Sequence, residues 1–365
     1  MSGGVDSTLS ALLLKNAGYD VHAVFMRNWD PQDDASLGPD PCPASADFED
    51  VQWVDFVKEY WNQVFERTLA DYAQGITPNP DVLCNSEIKF GEFMDKVLSD
   101  EVVESIEKRG KDQRIWLATG HYARTRTLPS GETQLLRGLD RNKDQSYYLS
   151  MVSEQALRRT IFPVGHLPKP QVKAMVAKAG LERISNRPES MGICFVGKRR
   201  KFSTFLAQYI ERSPGEAVDL DGRVIGQHKG LFAYTIGQAA RIHHGPDKWF
   251  VLNKDMKHNR LICVNDSNHR KLFSNCVFAR QFQWINGEPA LVSRPDEEDQ
   301  VLEGQIRYRQ EAIPCTVQRH MDSYKVTFSS PIRAIAEGQN VVLWRDETCL
   351  GGGVIHSAFH EASSA

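Results

Sequence analysis

Three groups of residues in this 365-residue chain have types and spacings that could do chemistry. The first is Ser2-Gly3-Gly4-Val5-Asp6-Ser7, which runs directly into the apolar pattern Val5, Leu9, Leu12, Leu13. Glycines remove the Cβ atoms that keep a phosphate off the backbone amides, serines add hydroxyl donors, and a helix start turns partial positive charge toward an anion. The segment reads as a phosphate-binding loop, although on its own it reads equally as a turn before a helix cap. No Gly-Lys-Ser/Thr follows, so it is not a Walker A loop. Without the lysine that grips β- and γ-phosphates, cleavage between the α- and β-phosphates is the expected reaction. The second group lies in Asn79-Pro80-Asp81-Val82-Leu83-Cys84-Asn85, which sets a carboxylate three residues before a thiol on a proline-stiffened turn. If a helix starts at Pro80, Asp81 and Cys84 share a face and the thiol lies near a positive helix end. The third is Cys194, flanked by Gly192 and Gly197, in a loop that can leave a thiol exposed. For any single cysteine the competing reading is a buried, inert thiol, and Cys42, Cys263, Cys276, Cys315 and Cys349 keep that reading.

These residues need a scaffold. A helix from about Asp6 to Ala17 ends at Gly18, a good residue for the position after a helix. Val21–Met26 reads as a short buried parallel strand, and residues 30–47 as an exposed loop. The apolar run Trp53–Val57 follows with little room for a crossover helix, so this region looks abbreviated. Helical pattern resumes at Tyr60–Tyr72, Thr77–Asp81 has turn chemistry, and Ile115–His121 is a strand ending in a Gly-His loop. Open α/β sheets place their ligands at such strand ends. Val172, Met175, Val176 and Ala179 form an amphipathic helix closed by Gly180. Beyond residue 197, after a helical stretch at Phe202–Ile210, short β-like runs alternate with Gly, Asp and Asn. They include Trp249–Leu252, Leu261–Val264, Gln305–Tyr308, Tyr324–Phe328 and Val341–Trp344. The expected fold class is α/β, a parallel-sheet domain over 1–197 followed by a small β-rich central domain over 198–274 and a C-terminal β-barrel over 275–359.

Apolar and charged fractions of 41% and 25% are those of a globular protein, and no apolar run reaches the ~18 residues of a membrane span. Seven cysteines without a CxxC do not make a secreted disulfide framework and fit a reducing compartment. At a net charge of −3, any nucleic-acid contact must come from local patches such as Lys198-Arg199-Arg200-Lys201 or Arg307-Tyr308-Arg309. Composition alone makes both patches ordinary solvated surface.

Ser2–Ser7, Asn79–Asn85, Ala118–Arg124, Lys143-Asp144-Gln145-Ser146 and Gly192-Ile193-Cys194-Phe195 occur in this order. Together they closely resemble the tRNA-specific 2-thiouridylases, PP-loop ATP pyrophosphatases with an adenine nucleotide alpha hydrolase-like sheet. The resemblance extends to Ile306–Arg309 and Ala336–Gln339. It implies that ATP, with Mg2+, adenylates the C2 oxygen of a wobble uridine, and that AMP then leaves as sulfur enters. Cys194 matches the family's persulfide carrier, loaded by an upstream sulfur-relay donor protein. Cys84 matches its partner cysteine, with a Cys84–Cys194 disulfide as one end state, and Asp81 matches the acid/base residue. By the same resemblance Ser2, Gly3, Gly4, Val5, Asp6, Ser7, Met26 and Gly120 would contact the nucleotide. Asn79, Pro80 and Asp81 would contact the flipped base, and His121, Lys143, Asp144, Gln145, Arg307, Tyr308 and Gln339 the tRNA. The expected substrates are tRNAs for Lys, Glu and Gln, with no membrane partner and no resident metal site. Plain strand core remains the alternative for Met26, and backbone satisfaction the alternative for His121.

Two departures from the family stand out. Members carry an apolar strand before the phosphate loop and none precedes it here; between Gln52 and Trp53 the rest of a helix and the start of the next strand look absent. An incomplete gene model, a spliced product, or a catalytically impaired tRNA-binding protein would each explain this. The same residues are also compatible with a different PP-loop adenylating ligase, or with an iron–sulfur site held by Cys84, Cys194 and Asp81. Ala156–Pro163 resembles the mitochondrial branch, with a cytoplasmic, bacterial setting as the alternative.

Overall fold

The computed structural model describes residues 2–29, 51–99, 115–187, 202–293 and 301–359. Helix α1 (Val5–Asn16) follows the glycine loop with Gly4 extended at its N-cap, Asp6 in its first turn and Lys15 in its last, each charge placed favourably in the field of the helix dipole. Strand β1 (Val24–Arg27) lies parallel to β2 (Gln52–Asp55), in a register that pairs Val24 with Gln52 and Met26 with Val54. Strand β2 begins at Gln52, where the sequence looks abbreviated, and is four residues long. Trp53–Val57 is not one apolar element: its first residues belong to β2, and Val57 opens a helix. That helix, α2, spans 57–73 and has a π-helical stretch at Trp61–Phe65.

A second helical segment, α3, spans 80–97, is π-helical over Cys84–Glu92 and kinks at Gly91, whose φ of −107° and ψ of −106° are not helical. The strand expected at Ile115–His121 shrinks to β3 (Leu117–Ala118). It pairs in parallel with β6 (Thr160–Ile161), which follows hairpin β4 (Ala123–Thr127) and β5 (Thr133–Arg137) and helix α4 (Glu154–Arg158). Among the described residues the parallel sheet of this domain is represented by two pairs, β1–β2 and β3–β6. Helix α5 (Lys169–Lys178) packs on α1 through Val5, Leu9, Val172 and Val176.

The dense part of this domain is aromatic. Trp29, Phe56, Tyr60, Phe65, Tyr72 and Phe93 surround Cys84, with Phe205 and Phe232 entering from the next domain. Burying side chains of this size contributes about 1.5–3 kcal/mol each, so this cluster anchors α2 and α3 and brings the central domain onto them.

The central domain is a four-stranded sheet in the order β8 (Val224–His228), β7 (Gly215–Val218), β10 (Arg260–Val264), β9 (Phe250–Asp255). The C-terminal domain is a closed barrel of β11 (Phe273–Trp284), β14 (Ser323–Arg333), β13 (Ile313–His320), β12 (Leu302–Gln305), β15 (Asn340–Arg345) and β16 (Thr348–Phe359), sealed by β11 against β16. Hairpin β4–β5 belongs to the first domain by sequence yet extends the barrel sheet, pairing Leu136 with Thr348 and Leu135 with Cys349. Among the described residues no helix is long and apolar enough to cross a membrane.

Candidate functional site

Pro80 is the first residue of α3, the one helical position where its missing N–H costs nothing. The helix then puts Asp81 and Cys84 one turn apart on the same side. The Asn85 side-chain amide donates to the Asp81 carbonyl at 2.9 Å, and Lys89 Nζ donates to Asn85 Oδ1 at 3.1 Å. Cys84 is 4% exposed in the aromatic core, with Asn28 Nδ2 at 4.0 Å from its sulfur. Burial pushes the Asp81 carboxyl above its ordinary value, and the charge of Lys89 only partly opposes this. The turn before Asp81 is clamped by the barrel. Gln339 Nε2 donates to the Thr77 carbonyl at 2.8 Å and the Pro78 carbonyl at 3.1 Å, and the Thr77 amide donates to the Glu337 carbonyl at 3.0 Å.

Tyr147 and Tyr148, on a 3-10 turn at Ser146–Leu149, complete this side of the site. The Tyr147 hydroxyl donates to the Asn340 carbonyl at 2.9 Å and is also hydrogen-bonded to the Asn79 side chain. Tyr148 stands 4.5 Å, centroid to centroid, from Tyr308 of the barrel. Both tyrosines are held firmly neutral by burial, and the Asp81 charge adds to the effect on Tyr148.

The phosphate loop is built as the glycines suggested. Gly3 has φ +69°, a left-handed value that side chains rarely adopt. Ser2 and Ser7 hydroxyls are 3.2 Å apart, Ser7 Oγ donates to the Gly4 carbonyl at 3.1 Å, and Arg187 Nη1 donates to the Gly3 carbonyl at 2.8 Å. Gly120 lies against this loop: a Cβ there would come 2.8 Å from Asp6 C and Ser7 N. Close packing of glycine backbones at a helix start fits a phosphate ligand. The next residue, His121, faces the other group, with its ring centroid 5.9 Å from Phe90 of α3. Burial, with help from Lys89, holds its imidazole well below its ordinary value and therefore neutral, and Nδ1 is 2.8 Å from Thr119 Oγ1. The Gly120-His121 pair thus bridges the phosphate loop and the thiol-bearing helix.

The remaining expected residues divide. Arg307, Tyr308 and Gln339 come together with the 77–81 turn across the domain junction. Met26 packs against the aromatic core, and among the described contacts none ties it to the loop. Asp144 and Gln145 work inward. Asp144 Oδ1 accepts the Gly138 amide at 2.8 Å and the Ser146 amide at 3.1 Å, and Oδ2 lies 3.6 Å from Arg137. Gln145 Oε1 accepts the Tyr122 amide at 3.0 Å while its own backbone amide donates to the Tyr122 carbonyl at 2.8 Å. Both hold the loop that presents Lys143. Cys194, its proposed disulfide to Cys84, Cys42 and the basic run Lys198–Lys201 lie outside the described residues. Cys263, Cys276, Cys315 and Cys349 are buried, and burial pushes three of them, Cys263, Cys315 and Cys349, up to about 12.

Two residues that sequence reasoning passed over join the site. Lys169 Nζ donates to both Asp6 oxygens at 2.6 and 2.7 Å, and the Tyr122 hydroxyl donates to Oδ1 at 2.7 Å. The phosphate loop is therefore tied to α5 through a buried ammonium. A cation in the first turn of a helix opposes the macrodipole, and that misfit is the signal Lys169 offers.

Known proteins resemble this chain along its whole length. Residues 1–198 match a family described as tRNA methyl transferase HUP domain, 203–265 its PRC-barrel domain, and 274–355 an aminomethyltransferase beta-barrel domain. The tRNA-specific 2-thiouridylase MnmA of Pseudomonas paraeruginosa is 43% identical over 375 aligned positions, covering 98% of this chain and 93% of that protein. The proteins of the same name from Pseudomonas syringae pv. syringae and Pseudomonas fluorescens are each 44% identical at the same coverage.

Proposed function

The chain belongs to the tRNA-specific 2-thiouridylase family, and on that premise we propose that it replaces the C2 oxygen of a wobble uridine with sulfur. The observation that carries this reading is the Gly120-His121 pair, of which Gly120 packs on the phosphate loop at Asp6 and Ser7 and His121 packs on Phe90 of the helix that also carries Asp81 and Cys84. A uridine C2 carbonyl is a poor electrophile with a poor leaving group. ATP, held by Ser2–Ser7 and Gly120, would transfer its adenylyl group to that oxygen with release of pyrophosphate, so that the oxygen later leaves as part of AMP; Mg2+ at the loop would offset the phosphate charge. Asp81 moves the proton at the base, and its raised proton affinity suits it to donate as well as accept. Asn79 and Pro80 line the base beside it. A persulfide sulfur on Cys194, loaded by a relay protein, would attack C2 directly, with Cys84 then cleaving the S–S bond, or would leave as hydrosulfide when Cys84 attacks the Cys194 sulfur; by either route AMP leaves from C2 and a Cys84–Cys194 disulfide forms, which an external thiol must reduce. Arg307, Tyr308, Gln339, Lys143 and the neutral His121 form the surface over which the RNA lies, while Asp144 and Gln145 shape the Lys143 loop. A single base reaches Asp81 only when unstacked from its loop.

tRNAs for Lys, Glu and Gln are the proposed substrates. The relatives named above are bacterial, which supports the cytoplasmic, bacterial alternative over a mitochondrial setting. The Ala156–Pro163 segment has a packing role of its own, with Ala156, Leu157 and Phe162 buried. The competing reading is a tRNA-binding protein without ATP turnover. Pyrophosphate release that requires tRNA, together with 2-thiouridine detected by mass spectrometry after complementation of a strain lacking its own enzyme, supports sulfur transfer. Tight tRNA binding without either product supports the second reading. A Cys194→Ser chain that still restores 2-thiouridine removes the persulfide role.

A further inference from the structure

Asp6 of the phosphate loop is held by Lys169 Nζ and the Tyr122 hydroxyl, both on buried side chains. Each of these residues is seated in turn by one short loop, 140–145, which follows β5. Lys169 opens α5, and the residue before it, Pro168, has no side-chain oxygen with which to cap the helix. Asp140 caps it from the loop. Its Oδ2 accepts the Lys169 amide at 2.9 Å while Oδ1 accepts the Asn142 amide at 3.1 Å. A carboxylate at this end also suits the helix dipole, which the Lys169 ammonium opposes. At the other end of the loop, Gln145 Oε1 accepts the Tyr122 amide at 3.0 Å, and the Gln145 amide donates to the Tyr122 carbonyl at 2.8 Å. Gly138 closes on the same residue, since a Cβ there would come 2.6 Å from the Tyr122 carbonyl oxygen. Two paths, Asp140–Lys169 and Gln145–Tyr122, therefore run from one loop to one carboxylate.

We propose that Asp140 is a positioning residue for the phosphate loop, and that RNA seated on loop 140–145 thereby tightens ATP binding. This rests on the sulfur-transfer reading, which supplies both ligands. The loop faces two ways. Asp140, Asp144 and Gln145 bond inward, whereas Arg141 and Asn142 are exposed and Lys143 is half-buried beside them. The Lys143 amide donates to the Asp140 carbonyl at 2.9 Å, so the basic tip and the cap of α5 share one turn. A polyanion gripping that tip holds Asp140 where it caps α5, and so keeps the Lys169 ammonium on Asp6. Asp6 lies in the first turn of α1, whose leading amides are the expected phosphate donors, so its placement sets the loop that receives ATP. Binding free energies are reciprocal, and ATP therefore tightens RNA binding by the same factor. A purely structural clamp gives no such link: its loss weakens ATP binding equally with and without RNA.

The test uses the α,β-methylene analogue of ATP, which cannot be cleaved between those phosphates, titrated calorimetrically with Mg2+ present. Each titration is run without RNA and with a saturating transcript of a tRNA for Lys, so that RNA affinity drops out of the comparison. In the wild type, RNA is expected to tighten binding of the analogue about fivefold or more. Asp140→Ala, which removes both acceptors, should bring that ratio to within about twofold of unity. Asp140→Asn keeps the side-chain volume and loses one of the two acceptors. It should lower the ratio by about twofold or more, and it carries the test if the alanine chain does not fold. The proposal is overturned if the folded variant keeps the wild-type ratio, whatever its absolute affinity for the analogue. A wild-type chain that thiolates RNA while RNA leaves its affinity for the analogue unchanged removes this inference alone. One that binds no RNA removes the functional reading with it.

Discussion

At the scale of single residues, the site turns on two that lack freedom. Gly120 has none in space, because the atoms a Cβ would strike are backbone and cannot rotate away. Gly120→Ala should displace the phosphate loop and weaken ATP binding by about tenfold or more, roughly 1.4 kcal/mol or above, in equilibrium dialysis. Asp81 has none in solvation. Because burial raises its proton affinity, the acidic limb of the pH–rate profile should lie above the ordinary Asp value of about 3.9, with activity rising as pH rises through it. In Asp81→Asn that limb should vanish and turnover fall by about 10²–10⁴-fold. A limb unchanged in Asp81→Asn would assign the titration to another group.

At the scale of elements, the short motifs were legible because each is local: Ser2–Ser7 and Asn79–Cys84 carry their turn, helix start and chemistry within seven residues. What joins them was not. Lys169 reaches Asp6 across 163 positions, and hairpin β4–β5 pairs with β16 across more than two hundred. No periodicity encodes such meetings. The inward roles of Asp144 and Gln145 were hidden likewise, since polar residues in a loop look alike whether they face backbone amides or RNA. Arg137, at the end of β5, shows what such a join is worth. Its guanidinium lies 3.6 Å above the fully buried Trp344 and 3.6 Å from Asp144, with side chains only 11% and 9% exposed. Arg137→Met should leave Asp144 buried without its cation and cost about 3–5 kcal/mol in urea unfolding. A cost below about 1 kcal/mol would mean that the hairpin is held by strand pairing alone.

At the scale of the whole molecule, the barrel is the part that holds the turn before Asp81. Gly338, with φ +87°, sits where a Cβ would meet Ile76 Cγ2 at 2.4 Å and Thr77 C at 2.9 Å. Gly338→Val should pry the barrel from that turn. We expect tRNA-dependent pyrophosphate release to fall at least tenfold while ATP binding by the distant loop stays within about twofold; equal losses in both would show that the domains unfold together. The two parallel pairs under the loop have a different consequence. β1 and β3 each contribute a short ladder with one side unpaired among the described residues, and Trp53 and Trp116 nearby are 48% and 43% exposed. Unpaired strand edges beside exposed aromatics are templates for adding another strand. In deuterium exchange, amides of Leu117 and Ala118 should label long before those of the barrel strands. Concentrated protein should cluster through this face, detectable by light scattering and suppressed by Trp53→Lys. The region that must grip the nucleotide would then also limit how concentrated the protein can become.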